Sequence, residues 1–171
     1  MTLSKIMTKP TKMKNKTIVY LKKDINSAAL KRAAIADYFG EAEIEVHPSG
    51  KPIIKSPKGY YISVSHSGDI VALVISDKEV GIDIEEKREI DFDKIRKGFF
   101  IESEKSEPFF DVWVKREAEG KLSGEGVFAL RKKELSCKFS FISKEVSEFS
   151  GRDFSGCIAS KERLFYTIKE L

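Results

Sequence analysis

The sequence predicts an α+β fold made of two halves of similar design, and three observations predict it. Short stretches at 17–21, 43–47, 60–65, 69–76 and 79–86 read as strands. The period then lengthens to that of helices through 91–100 and 106–121, before further strands close the chain. No low-complexity segment or long linker divides the 171 residues, so the halves are expected to pack as one compact unit.

Each element has a local reason. Residues 17–21 (TIVYL) read as a short strand. Asn26 or Ser27 caps a helix that runs to about Phe39, and Gly40 stops it. EIEVH at 43–47 alternates like a strand and is followed by a turn rich in breakers, HPSGKP. Three strands at 60–65, 69–76 and 79–86 follow with tight turns between them, which predicts an antiparallel meander. In the second helical stretch, Pro108 is tolerable in the first turn. Strands at 136–142, 153–160 and 163–170 complete the order. The expected division is a flexible basic lead over 1–16, an N-terminal α+β half over 17–86 and a C-terminal α+β half over 87–171.

Composition narrows the function classes. A third of the residues are charged and two-fifths are apolar, the balance of a soluble globular protein. No apolar run approaches the roughly 20 residues that span a bilayer. The lysine-rich start lacks the apolar stretch of a secretory signal, so a cytoplasmic chain is expected. Cys137 and Cys157 form no CxxC pair, which disfavours zinc and fits a reducing compartment. Both are expected in the core as small apolar side chains. The net charge of +4 suits a polyanionic ligand. A small RNA-binding protein is one alternative, but no aromatic RNP-type motif or glycine-rich clamp appears.

Four short motifs carry chemistry. In Val80-Gly81-Ile82-Asp83-Ile84-Glu85, strand alternation turns Asp83 and Glu85 one way and Ile82 and Ile84 toward the core. Two carboxylates so placed repel unless a cation lies between them, and hard oxygen ligands suit Mg²⁺. In Trp113-Val114-Lys115-Arg116-Glu117-Ala118-Glu119-Gly120-Lys121, helical spacing puts Trp113, Glu117 and Lys121 on one face, supplying a third carboxylate and an ammonium. Gly120 costs a helix interior about 1 kcal/mol relative to alanine, so it implies a close approach or a fraying end. Ser63-Val64-Ser65-His66-Ser67-Gly68 offers hydroxyls, an imidazole and backbone N–H groups suited to phosphate oxygens. Gly50-Lys51-Pro52 is a turn. A serine-hydrolase triad is disfavoured, because no GxSxG elbow occurs and His47 and His66 are the only histidines.

In this order, GKP, SHS, VGIDIE and WxxxEAxxK, the motifs resemble those of the 4′-phosphopantetheinyl transferase superfamily, in its Sfp-like branch of monomeric, pseudo-twofold enzymes. The resemblance covers roughly residues 20–170. It implies that fold, with two α+β halves related by a pseudo-twofold axis. It also implies transferase activity of the holo-[acyl-carrier-protein] synthase type: phosphopantetheine moves from coenzyme A to a serine of an acyl or peptidyl carrier protein, and 3′,5′-ADP is released. The chain would then serve fatty-acid, polyketide or peptide synthesis as a cytoplasmic monomer, with neither nucleic acid nor membrane as partner.

Residue by residue, Asp83, Glu85 and Glu117 match the family's magnesium ligands, and Lys121 matches the lysine on the coenzyme A pyrophosphate. Lys51, Pro52, Ser65 and His66 match residues around the nucleotide and its 3′-phosphate. Lys23 or Lys31 is expected to clamp the 3′-phosphate, and Arg116 to help Lys121 stabilise phosphate charge. Asp83, Glu117 and Lys121 form the catalytic set. Phe99-Phe100-Ile101-Glu102-Ser103-Glu104 is similar to the family's FFxxxE segment. Lys94, Arg96 and Lys97, with Phe99 or Phe100, offer a docking surface for an acidic carrier. Two departures stand out: Arg116 replaces the usual lysine, and Glu119-Gly120 replaces bulkier apolar residues. Glu119-Gly120 motivates a second alternative, a non-catalytic coenzyme A- or nucleotide-binding relative.

Overall fold

The fold is described from a computed structural model, which covers residues 17–24 and 26–171; the expectation for the basic lead over 1–16 lies outside them. Its strands are β1 (Thr17–Lys23), β2 (Glu43–Val46), β3 (Pro52–Ser56), β4 (Tyr61–Ser67), β5 (Ile70–Ser76), β6 (Val80–Glu86), β7 (Lys138–Phe141), β8 (Phe154–Ser160) and β9 (Tyr166–Glu170). Its α-helices are α1 (Ser27–Phe39), α2 (Asp93–Phe99), α3 (Phe109–Ser123) and α4 (Ser143–Ser150). The result is the expected mixed α+β architecture.

One sheet runs in the order β4-β5-β1-β9 and another in the order β6-β8-β7, while β2 and β3 form a separate pair. Because strand side chains alternate, β1 and β5 feed two cores. Ile18, Tyr20, Leu73 and Ile75 meet Leu30 and Ala34 of α1. Val19, Leu21, Ala72 and Val74 meet Ile82, Ile84 and Ile158 of the second sheet. The far face of that sheet, at Cys157 and Ala159, packs on Val114, Ala118 and Leu122 of α3. Cys157 is therefore a core residue as expected, and Cys137 is half-buried beside it.

Local signals set several boundaries. Asn26 accepts a hydrogen bond from Ala29 N at 2.9 Å, and Gly40, at φ 76°, ends α1 as its sequence predicts. Pro108 precedes α3 and does not enter its first turn. Two elements were not expected: β3, which begins at the last residue of the turn HPSGKP, and α4, whose sequence SKEVSEFS is largely polar.

The meander expectation holds only for β4 and β5, which pair antiparallel. β6 leaves that sheet and pairs with β8. Its open edge meets β4 through side chains: Ile82 N donates to Ser63 Oγ at 3.1 Å, Ile84 N to Ser65 Oγ at 3.3 Å and Glu86 N to Ser67 Oγ at 3.0 Å. Three serines thus satisfy strand amides that would otherwise be buried without partners.

Candidate functional site: an acid cluster beside a basic cavity

The site begins with a glycine. A Cβ on Gly81 would lie 2.0 Å from Ala118 O and 2.7 Å from Leu122 N, so only glycine lets β6 lie directly against α3. That closeness puts Asp83 within reach of the next helical turn, where Lys121 Nζ donates to Asp83 Oδ1 at 2.7 Å. The same oxygen accepts from Ser65 Oγ at 2.8 Å. Asp83 is 3% exposed, and its Oδ2 is buried with no hydrogen-bond partner among the described residues.

Glu85 lies two residues further along the same strand face, half-buried, and accepts from Ser67 Oγ at 3.1 Å. Glu117, also half-buried, projects from α3. It shares one field with the other acids. Burial first, then Asp83, push its pKa up to about 7, against a downward pull from Lys121 and with a further push from Glu85. Burial, with Asp83, also raises Glu85. Burial raises Asp83, and Lys121 and Ser65 pull it part of the way back. Among the described residues no three of His, Cys, Asp and Glu are drawn together as a ready-made metal cage. The donor set nevertheless fits a divalent cation: three hard-oxygen groups in mutual repulsion, one with a buried oxygen lacking any partner.

Lys121 also lines a cavity of about 350 Å³, together with Lys31, Lys51, Pro52, His66 and Gly120. Lys51 Nζ donates to Leu122 O at the C-terminal end of α3, and burial lowers its pKa. An adjoining cavity of about 570 Å³ shares Lys51 and Pro52 and is walled by Ile53, Ile54 and Tyr60. A concave site with basic groups on one wall suits a polyanion.

Of the residues singled out in the sequence, the fold gathers Asp83, Glu85, Glu117, Lys121, Lys31, Lys51, Pro52 and His66 around this acid–basic junction. It does not gather Lys23, whose Nζ donates to Ser150 O at 3.2 Å over the Phe149 ring. Ser65 faces Asp83 and not the cavity.

Arg116 is not a phosphate group in waiting. It is fully buried, with Nε donating to Glu104 Oε2 at 3.1 Å, Nη1 to Leu130 O at 2.7 Å and Nη2 to Lys133 O at 3.1 Å. Glu104, the acid of the FFxxxE segment, is its counter-ion. Phe100 is fully buried and Arg96 is held by the carbonyls of Lys105 and Glu107, so neither belongs to an exposed docking surface.

The two departures at Glu119-Gly120 have structural causes. Glu119 accepts from Ser136 N, Ser136 Oγ and Cys137 N, clasping the segment before β7. A Cβ on Gly120 would stand 2.6 Å from Gly126 C, so of the two sequence alternatives, close approach is the one realised. The sequence leads one to expect the hydroxyls of this stretch on phosphate oxygens; the fold instead turns those of Ser63, Ser65 and Ser67 to β6. Their signal was serine at every second position of one strand, which puts three hydroxyls on one face.

No family model matches the chain. Two curated relatives do. A 4′-phosphopantetheinyl transferase of Bacillus pumilus, psf-1, is 37% identical over 94 residues, covering 48% of this chain and 40% of the relative. A 4′-phosphopantetheinyl transferase of Aneurinibacillus migulanus, gsp, is 34% identical over 90 residues, covering 46% of this chain and 37% of the relative. The matched stretches thus span less than half the length of either relative. Both similarities support the resemblance to the 4′-phosphopantetheinyl transferase superfamily that the four motifs carry.

Proposed function

We propose that this chain transfers the 4′-phosphopantetheine arm of coenzyme A to a serine of an apo acyl or peptidyl carrier protein, releasing 3′,5′-ADP in a Mg²⁺-dependent reaction. The observation that carries this reading is the double position of Lys121: its ammonium stands 2.7 Å from Asp83, and its side chain walls the basic cavity. A diphosphate bound there lies between the acids and the lysines.

In this reading Asp83, Glu85 and Glu117 hold Mg²⁺. The metal supplies charge neutralisation on the diphosphate and its orientation for in-line attack. Lys121 turns from Asp83 to the diphosphate and stabilises charge on it. Lys31, Lys51 and His66 bind the nucleotide phosphates, and Pro52 shapes the wall beside them. The adjoining cavity gives room to the rest of a ligand larger than one chamber. Glu117 takes the proton from the attacking serine hydroxyl directly or through a water. Lys94 and Lys97, with Phe99 beside them, receive the carrier, since Arg96 and Phe100 are engaged in the fold.

The same reading relates halves 17–86 and 87–171 by a pseudo-twofold axis and makes the chain a cytoplasmic monomer. It disfavours the non-catalytic alternative, because Glu119 clasps the segment before β7, Gly120 makes room for the close approach of Gly126, and neither replaces a member of the acid cluster. The deciding experiment incubates the full chain with coenzyme A, Mg²⁺ and apo carrier proteins. A carrier mass gain of roughly 340 Da, the phosphopantetheine increment of this transfer, is the expected result. Coenzyme A binding with no gain on any of several carriers would overturn the proposal.

A further inference from the structure

We infer that Ser65 and Ser67 are positioning residues that orient the metal-binding carboxylates, and that Ser65 is not a nucleotide contact. The inference rests on the proposed function, since it concerns the same acids. Its basis is the seam between β4 and β6. β6 is an edge strand of its sheet, so its amides at 82, 84 and 86 face β4 without a ladder partner. Ser63, Ser65 and Ser67 accept from those three amides in turn.

A hydroxyl has one proton. In Ser65 that proton goes to Asp83 Oδ1 at 2.8 Å, and in Ser67 it goes to Glu85 Oε2 at 3.1 Å. Each serine is thus locked at both ends, to the strand and to an acid on that strand. Each fixes one oxygen of its carboxylate and leaves the other for a further ligand. In Asp83 that other oxygen is the buried Oδ2 with no partner. Ser65 has no proton left for a phosphate, and the β4 residues that wall the basic cavity are Ser63, Val64 and His66, not Ser65 or Ser67. Partners of this kind set the orientation of metal ligands and raise their affinity for the ion.

Ser63 supplies the internal control. It makes the same type of bond to β6, through Ile82 N, but has no acid partner. The test titrates Mn²⁺, as a probe for the divalent ion, into the full chain with saturating coenzyme A. Bound ion is read from loss of the free-ion electron paramagnetic resonance signal, and thermal unfolding is followed in parallel. Ser65→Ala and Ser67→Ala are expected to weaken Mn²⁺ binding about 10-fold or more. With coenzyme A saturating, Ser63→Ala, which alters the cavity wall but no bond to an acid, is expected to lower Tm to a similar extent and leave the Mn²⁺ affinity nearly unchanged. Ser67→Thr, which keeps the hydroxyl, is expected to retain the affinity, and the Ser67 pair decides alone if Ser65→Ala does not fold. Coenzyme A affinity without metal should not change in Ser65→Ala.

Equal Mn²⁺ effects in all three alanine variants, or none at positions 65 and 67, would overturn the inference and leave the transferase reading standing. Weakened metal-free coenzyme A binding in Ser65→Ala alone would return Ser65 to the nucleotide. Failure of the unsubstituted chain to bind Mn²⁺ would overturn both readings.

Discussion

Helix α3 carries buried charge on two sides, and the sides treat it differently. On one, Arg116 meets Glu104 and two carbonyls, and Glu119 meets two amides and a hydroxyl. Every charge there is answered by a fixed partner, and the effect is to pin residues 127–137 against the helix. On the other, among the described residues the Glu117 side chain has no hydrogen bond, Asp83 keeps an unpartnered oxygen, and three acids face one ammonium. Burying charge costs free energy on both sides, but only the first side offsets the cost within the fold. The contrast separates structural charge from charge held ready for a ligand, although both sets lie within a few residues of one helix.

The largest effect should come from breaking the satisfied side. Arg116→Met leaves Glu104 buried and unpaired, and urea unfolding should show a loss of about 3–5 kcal/mol. Adding Glu104→Leu should recover part of it, because the carbonyls of Leu130 and Lys133 remain unmet. A smaller loss, about 1–3 kcal/mol by the same measurement, is expected for Gly81→Ala, which forces β6 away from α3. Transfer activity should fall further than stability does, since Asp83 reaches Lys121 only across that contact.

The smallest effect concerns pH. Glu117 has a folded pKa near 7 against an ordinary 4.5, so the folded chain binds its proton more tightly than the unfolded chain does. Its contribution therefore opposes folding as pH rises from 4.5 to about 7 and is constant beyond that window. Melting of the metal-free chain across this range should show the fall, moderated because the group is half exposed. Glu117→Gln should reduce it, leaving the part that the raised Glu85 and Asp83 carboxyls supply.

Legibility in the sequence divides along similar lines. Local chemistry was readable: the Asn26 cap, the Gly40 stop, the strand bearing Asp83 and Glu85, and the helix bearing Glu117 and Lys121. Pairings between distant segments were not. Nothing within 79–86 says that the strand abandons β5 for β8, because that choice depends on a surface 70 residues later. Arg116 looked like a phosphate group because its counter-ion, Glu104, lies outside its own motif. Helix α4 escaped because most of its residues are polar and only Val146 is fully buried. β3 escaped because the breakers at Gly50, Pro52 and Pro57 leave only the short apolar pair Ile53-Ile54 between them.

The central claim is that the unanswered charge on α3 awaits a divalent ion with coenzyme A. Thermal unfolding of the parent chain and of Glu117→Gln, each with and without Mg²⁺ plus coenzyme A, tests it most directly. The expected result is a higher Tm for Glu117→Gln than for the parent at pH 8 without ligands, and a ligand-induced rise in Tm that is large in the parent and mostly lost in the variant. Equal ligand-induced rises in the two proteins, or a variant less stable than its parent without ligands, would contradict the account.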